Sequence, residues 1–267
     1  MDKNAPIGVF DSGIGGLTVA AALSKSLPKE QLIYFGDTAN LPYGEKSVET
    51  VQNYAKNIAE YLYNQGCKML VIACNTASAA AYETLREIWA GRMLIVDVIN
   101  PLIAFVSQKN YKKIGVIATK ATVRTDIYNK KLLANNPDLL VTSLATGLLA
   151  SMIEEGFVAN EISHSVIHKY LSYPDFEEIE ALLLACTHYP LIKNEIESYF
   201  KHKVAVFDSV EAVKDKVLYL LNLFDLISTA TPKAENQFLV SDYTESFSKT
   251  AAVFYGQHLD IKQVRLL

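Results

Sequence analysis

The chain has 267 residues, half of them hydrophobic and 20% charged, with a formal net charge of −4. That is the balance of a globular protein long enough for two domains or one large α/β domain, and without a basic cluster it offers no electrostatic footprint for nucleic acid or an anionic membrane. No apolar run reaches the roughly 18 residues needed to cross a bilayer, and Met1–Pro6 lacks the apolar core of a secretory signal, so a cytoplasmic protein with no membrane partner is expected.

In chain order, Ile7–Phe10 reads as a strand, Leu17–Leu27 as a helix and Gln31–Phe35 as a second strand. Ser47 then caps a helix whose apolar positions Val48, Val51, Ala55, Ile58, Ala59 and Leu62 share one face, and Gly66 ends it. Met69–Ala73 is the next strand. Further strands fall near Leu94–Val98, Ile114–Ala118, Leu140–Leu144, Ala181–Ala185, Val204–Phe207 and Phe238–Val240, with helical stretches between them. This rhythm predicts parallel sheets covered by helices on both faces. The one linker-like stretch is Ser228–Pro232.

Cys74 ends an apolar run, Leu70–Ala73, and is followed by Asn75, Thr76 and Ser78. A cysteine there can simply fill core. The end of a parallel strand is also where α/β sheets bind ligands, and a helix opening on cap-type residues would favour an anion and lower the pKa of a nearby thiol. Self-similarity sharpens the question. Ile7–Ser12 resembles Ile114–Thr119, and Leu70–Thr76 resembles Leu182–His188, in the same order and at nearly the same separation. Two copies of one α/β unit are therefore expected, each with a cysteine at a strand end, Cys74 and Cys186. If the units face each other, their crevices form one cleft with a thiol on each wall. Such a cleft suits inversion of a stereocentre, which needs one group to remove a proton from one face of a carbon and another to deliver one to the opposite face. Free thiols titrate at about 8.5 and need help near neutral pH. Asp11, at the end of the first strand, and His188, two residues after Cys186, are placed to give it. The odd count of three well-separated cysteines fits free thiols rather than a disulfide framework.

Asp11–Val19, Pro42–Gly44, Ala73–Ser78 and Cys186–Leu191 resemble the signature segments of the glutamate racemase family, and Phe238–Gly256 resembles its closing strand and helix, so the likeness spans essentially the whole chain. The resemblance implies an α/β fold of two pseudo-symmetric domains, each a mostly parallel sheet flanked by helices. The active site would lie in the cleft between them. The first domain would be discontinuous, 1–97 plus 209–267, and the second would be 98–208. It further implies a two-cysteine racemase, with no cofactor and no metal, interconverting L- and D-glutamate for peptidoglycan synthesis; the family forms dimers of more than one geometry, so a homodimer is one expectation and the oligomeric state is left open. Carried onto this sequence, Cys74 and Cys186 are the acid/base pair, with Asp11 and His188 assisting. The substrate contacts would be Asp11, Ser12, Tyr43, Gly44, Asn75, Thr76, Thr119, Thr122, Thr187 and His188. Their hydroxyls, amides and helix-end N–H groups suit an amino acid with two carboxylates. Leu148–Glu155 departs from the family's usual bulky-Val-Pro pattern, so the likeness gives Glu154 no role. Some members carry a long N-terminal extension associated with activation by a cell-wall precursor. Here the first strand starts about seven residues in, and no such activation is expected.

Other readings are weaker. Asp11–Gly16 does not satisfy the G-x-G-x-x-G spacing of a dinucleotide loop. Cys186 and His188 lack a nearby second pair of metal ligands. Cys67 reads as structural, and His164, His168, His202 and His258 read as surface histidines. Related aspartate or hydantoin racemases and decarboxylases, or a small-ligand sensor without turnover, remain the alternative functions.

Overall fold

The computed structural model describes residues 1–231 and 234–266, except for the side chain of Ser246. Its elements in chain order are β1 Ile7–Asp11, α1 Leu17–Ser26, β2 Leu32–Gly36, α2 Val48–Asn64, β3 Met69–Ile72, α3 Asn75–Ile88, β4 Leu94–Asp97 and α4 Ile99–Val106. Next come β5 Lys113–Ala118, α5 Lys120–Thr125, α6 Ile127–Asn135, β6 Leu140–Ala145, α7 Gly147–Glu154, α8 Glu161–Leu171, β7 Ala181–Ala185 and α9 Lys193–Tyr199. The chain closes with β8 Ala205–Phe207, α10 Val210–Leu223, β9 Gln237–Val240, α11 Glu245–Tyr255 and β10 Ile261–Gln263.

The strands form two sheets, one in the order β10-β9-β2-β1-β3-β4 and the other β6-β5-β7-β8, and every pairing is parallel. The internal repeat is visible in this order. The run β2-β1-β3-β4 of the first sheet matches β6-β5-β7-β8 of the second, with β1 answering β5 and β3 answering β7. The two-sheet α/β architecture expected from the sequence is the observed one. β1, β3 and β7 are buried along their whole length, as strands covered on both faces must be. Each large aliphatic side chain so buried stabilises by about 1.5–3 kcal/mol. Strand and helix ends differ from the sequence reading by about a residue, and β10 was not anticipated.

The chain's C-terminal part returns to the first sheet, where β9 pairs with β2 and β10 with β9. A buried ion pair ties that return to the sheet's lower edge. Lys68 Nζ lies 2.6 Å from Glu30 Oε2 and donates to the carbonyl of Leu226 at 2.8 Å, while Glu30 Oε1 accepts the Ser228 N–H at 2.7 Å. Such a pair holds only because its remaining lone pairs and protons are also satisfied. Of the linker-like stretch, residues 228–231 have no regular structure, and Pro232 lies outside the described residues. No helix among the described residues is long and apolar enough to cross a membrane.

Candidate active site

β1 and β3 are neighbours in register, so their following loops leave the same edge of the first sheet. Asp11, at the end of β1, is completely buried. Its Oδ2 accepts the N–H groups of Gly13 at 3.2 Å and Gly16 at 2.9 Å, and its Oδ1 has no partner among the described residues. Burial pushes this carboxyl above its ordinary value, against the pull of the backbone N–H groups and of His188.

Cys74 follows β3 and is itself the N-cap of α3, its Sγ accepting the Ala77 N–H at 3.4 Å and donating to Ser12 Oγ at 3.5 Å. The expected lowering of this thiol's pKa by the helix start does not win. Burial, then the Asp11 carboxylate, outweigh the Ser12 and Ala77 hydrogen bonds and push the thiol up to about 12.

The corresponding end of β7 carries Cys186, Thr187 and His188, but no α-helix follows directly. The chain makes a short 3₁₀ turn, Tyr189–Ile192, before α9. Cys186 Sγ lies 3.6 Å from His188 Nδ1, and His188 Nε2 lies 2.6 Å from Glu154 Oε1 on α7. Burial alone would depress the histidine. The hydrogen bond and charge of Cys186, with those of Glu154, outweigh it and push His188 up to about 10. An imidazolium has two donors, and here one faces the sulfur and the other the carboxylate.

The walls meet around a cavity of about 360 Å³. Ser12, Tyr43, Gly44, Cys74, Asn75 and Thr76 line it from the first sheet's side, and Thr119, Cys186, Thr187 and His188 from the second's. Asp11 and Thr122 do not reach the lining. Asp11 lies beneath it, and Thr122 Oγ1 sits behind the wall, 3.3 Å from Thr76 Oγ1 and 3.1 Å from Thr119 Oγ1. The glycine-rich run after β1 has a steric explanation. A Cβ on Gly15 would fall 2.4 Å from Thr187 Oγ1 and 2.6 Å from His188 Nδ1, so only glycine lets the first wall's loop press against the second.

Three residues missed by the sequence reading support this lining. Glu154 is the partner of His188. Asp37 is buried and accepts the Tyr43 hydroxyl at 2.6 Å and the Ser241 hydroxyl at 2.8 Å. Tyr128 on α6 donates to Asn75 Oδ1 at 2.6 Å. At the mouth, Lys120 and Glu45 pair at 3.3 Å, both side chains more than half exposed. Cys67 packs within the core between the first sheet and α2, and burial pushes its thiol up to about 12. His164, His168, His202 and His258 are absent from the cavity lining. Among the described residues no three His, Cys, Asp or Glu side chains cluster as metal ligands would.

Known proteins share this fold. The Asp/Glu/Hydantoin racemase family matches residues 17–216. A glutamate racemase of Geobacter metallireducens is 39% identical over 264 residues, covering 97% of this chain and 96% of its own. The crystal structure of glutamate racemase from Francisella tularensis in complex with D-glutamate superposes with a TM-score of 0.93 at 40% identity, covering 99% of this chain and 98% of its own. That of Thermus thermophilus in complex with beta-chloro-D-alanine gives 0.89 at 36% identity, covering 100% and 99%. With the profile spanning most of the chain and such relatives matching nearly all of it, the chain belongs to the Asp/Glu/Hydantoin racemase family.

Proposed function

We propose that the protein racemises glutamate by a two-thiol mechanism without a cofactor. The observation that carries the reading is the placement of Cys74 and Cys186 on one cavity, each at the end of the corresponding strand of a repeated sheet. The bound D-glutamate of the Francisella tularensis relative supports the choice of substrate.

In one direction Cys186, which faces His188, is the base, and Cys74, whose thiol burial and the Asp11 carboxylate push up to about 12, is the acid. The Cys186 thiolate takes the Cα proton of one enantiomer. The electron pair left on Cα then takes the Cys74 proton on the opposite face, giving the other enantiomer, a Cys186 thiol and a Cys74 thiolate. The reverse reaction starts from that exchanged pair, and Asp11 and His188, each beside its own cysteine, help return the protons. Ser12, Asn75, Thr76, Thr119 and Thr187, with Tyr43 and Gly44, hold the carboxylates and the ammonium, while Thr122 acts through Thr76 and Thr119. We further propose that 1–97 plus 209–267 and 98–208 form the two domains, that the D-glutamate serves peptidoglycan synthesis in the cytoplasm, and that the protein works as a homodimer.

The test is incubation with L-glutamate and, separately, with L-aspartate, followed by chiral chromatography and circular dichroism. Glutamate should reach a 1:1 mixture of enantiomers, and aspartate should turn over far more slowly. Faster aspartate turnover would reassign the substrate, and tight glutamate binding without inversion would make the protein a sensor.

A further inference from the structure

Asn75 opens α3 and is 2% exposed. Its Oδ1 accepts the Tyr128 hydroxyl, while its Nδ2, also buried, has no partner among the described residues. A buried donor without an acceptor is costly unless something else brings one, and Asn75 lines the cavity.

The orientation of this amide follows from the phenol. Tyr128 is 3% exposed, and Asn75 Oδ1 is its hydroxyl's one partner among the described residues. Burial, with the charges of Asp97 and Cys186, holds the hydroxyl well above its ordinary pKa, so the proton stays on. An O–H that keeps its proton must donate, and the oxygen of Asn75 is the acceptor within reach. Turning the amide over would set its NH₂ against the phenol and leave the phenolic hydrogen with nothing to bond. The NH₂ is therefore committed to the other side. Asn75 lines the cavity at the start of α3, where the helix's N-terminal N–H groups favour an anion. Tyr128 belongs to α6, beside the second sheet, and Asn75 to α3, beside the first, so the bond is made across the two halves.

We infer that Tyr128 is a positioning residue for substrate binding: its hydroxyl locks the Asn75 amide so that the NH₂ is offered to a carboxylate in the cavity. This rests on the glutamate reading above. Without the lock, the amide is free to present its oxygen, which repels a carboxylate. Both enantiomers carry the same carboxylates, and the contact persists through proton transfer. The lock therefore belongs to uniform binding, which appears in KM more than in kcat.

The test is Tyr128→Phe, which keeps the buried ring and removes the hydroxyl. KM for D- and L-glutamate should each rise about tenfold with kcat within about threefold of wild type, the size expected for weakening one hydrogen bond to a charged group. In an Asn75→Ala background the same substitution should change KM by less than about twofold, because its only route to the substrate is gone. An unchanged KM in Tyr128→Phe, or an equal effect with and without Asn75, would overturn the role. Should Tyr128→Phe fold poorly, the wild-type protein provides the second measurement, since the Asn75 side-chain NH₂ resonances should shift on saturation with D-glutamate. Resonances that stay in place would overturn the role as well. A wild type that neither binds nor racemises glutamate would remove the functional reading and this role with it, whereas an active wild type beside an unaffected Tyr128→Phe removes the role alone.

Discussion

The two cysteine walls begin from nearly the same sequence, Leu-Val-Ile-Ala-Cys at 70–74 and Leu-Leu-Leu-Ala-Cys at 182–186, on equivalent strands of a repeated sheet order. They then diverge in the next few residues. After Cys74 the chain enters α3 at once, so the sulfur becomes a helix cap, sealed over a buried carboxyl that resists its ionisation. After Cys186 the 3₁₀ turn brings His188 back against the sulfur, with Glu154 behind it to hold a positive charge. Nearly identical strand ends thus give one wall that holds its cysteine as a thiol and one that sets an imidazolium beside its sulfur. A stereo-inverting site needs that difference, because two thiols or two thiolates facing one Cα would leave it without a base or without an acid.

The largest test of this contrast is removal of either sulfur. Cys74→Ser and Cys186→Ser should each lower racemisation by about 10³-fold or more, the scale of an obligatory acid/base partner. Each should keep one-sided elimination on a substrate with a good leaving group, with opposite enantiomer preference. The same preference in both would break the opposed-wall picture. Gly15→Ala should cost about 10²-fold in kcat/KM, because the methyl group would displace Thr187 and His188 while leaving β1 intact. Wild-type activity in that variant would mean that the close approach of the walls is unimportant.

Asp11→Asn and His188→Asn come next, at about 10²-fold. Equilibrium fixes the ratio of kcat/KM between enantiomers, so the informative readout is the primary isotope effect at Cα, which should rise in different directions of reaction for the two variants. If both matched wild type, the assisting roles would be withdrawn. Glu154→Gln should be milder, about tenfold. Because Glu154 raises the His188 pKa, the alkaline limb of the rate profile should move to lower pH; an unmoved limb would detach Glu154 from the relay.

The smallest effect is on stability. His188 titrates near 10 in the folded protein and near 6.5 in an unfolded chain, so its contribution is fully present below about pH 6.5 and is lost as pH rises through about 10. The raised Cys74 thiol acts in the same direction between about 8.5 and about 12. Urea midpoints measured from neutral to alkaline pH should therefore fall, and His188→Asn should flatten the first part of that slope. A wild-type slope in the variant would contradict the sign.

Much of this was legible in the sequence, for physical reasons. The strands that bear Asp11, Cys74 and Cys186 are fully buried and parallel, so they read as unbroken apolar runs, and repetition of the pattern exposed the pairing of the two cysteines. Ser47 was legible as a cap because its partner, the Thr50 N–H, is local. Glu154, Asp37 and Tyr128 were not legible, since each works through one side chain on another element: Glu154 on His188, Asp37 on Tyr43 and Tyr128 on Asn75. No spacing rule encodes such pairs. The 148–155 stretch departs from the family's pattern and so carries no signal for the contact that Glu154 makes with His188. β10 escaped because Ile261–Gln263 is a short, largely exposed edge strand with almost no apolar signal.

The central claim is that protons leave and arrive on opposite faces through different sulfurs, and racemisation in heavy water tests it directly. With L-glutamate as substrate and only the first few per cent converted, the D-glutamate formed should carry deuterium at Cα, delivered by the exchanged thiol of the opposite wall, while the remaining L-glutamate stays unlabelled. D-glutamate that retains its original hydrogen, or label entering both enantiomers equally from the start, would mean that a single group serves both faces and would contradict the account.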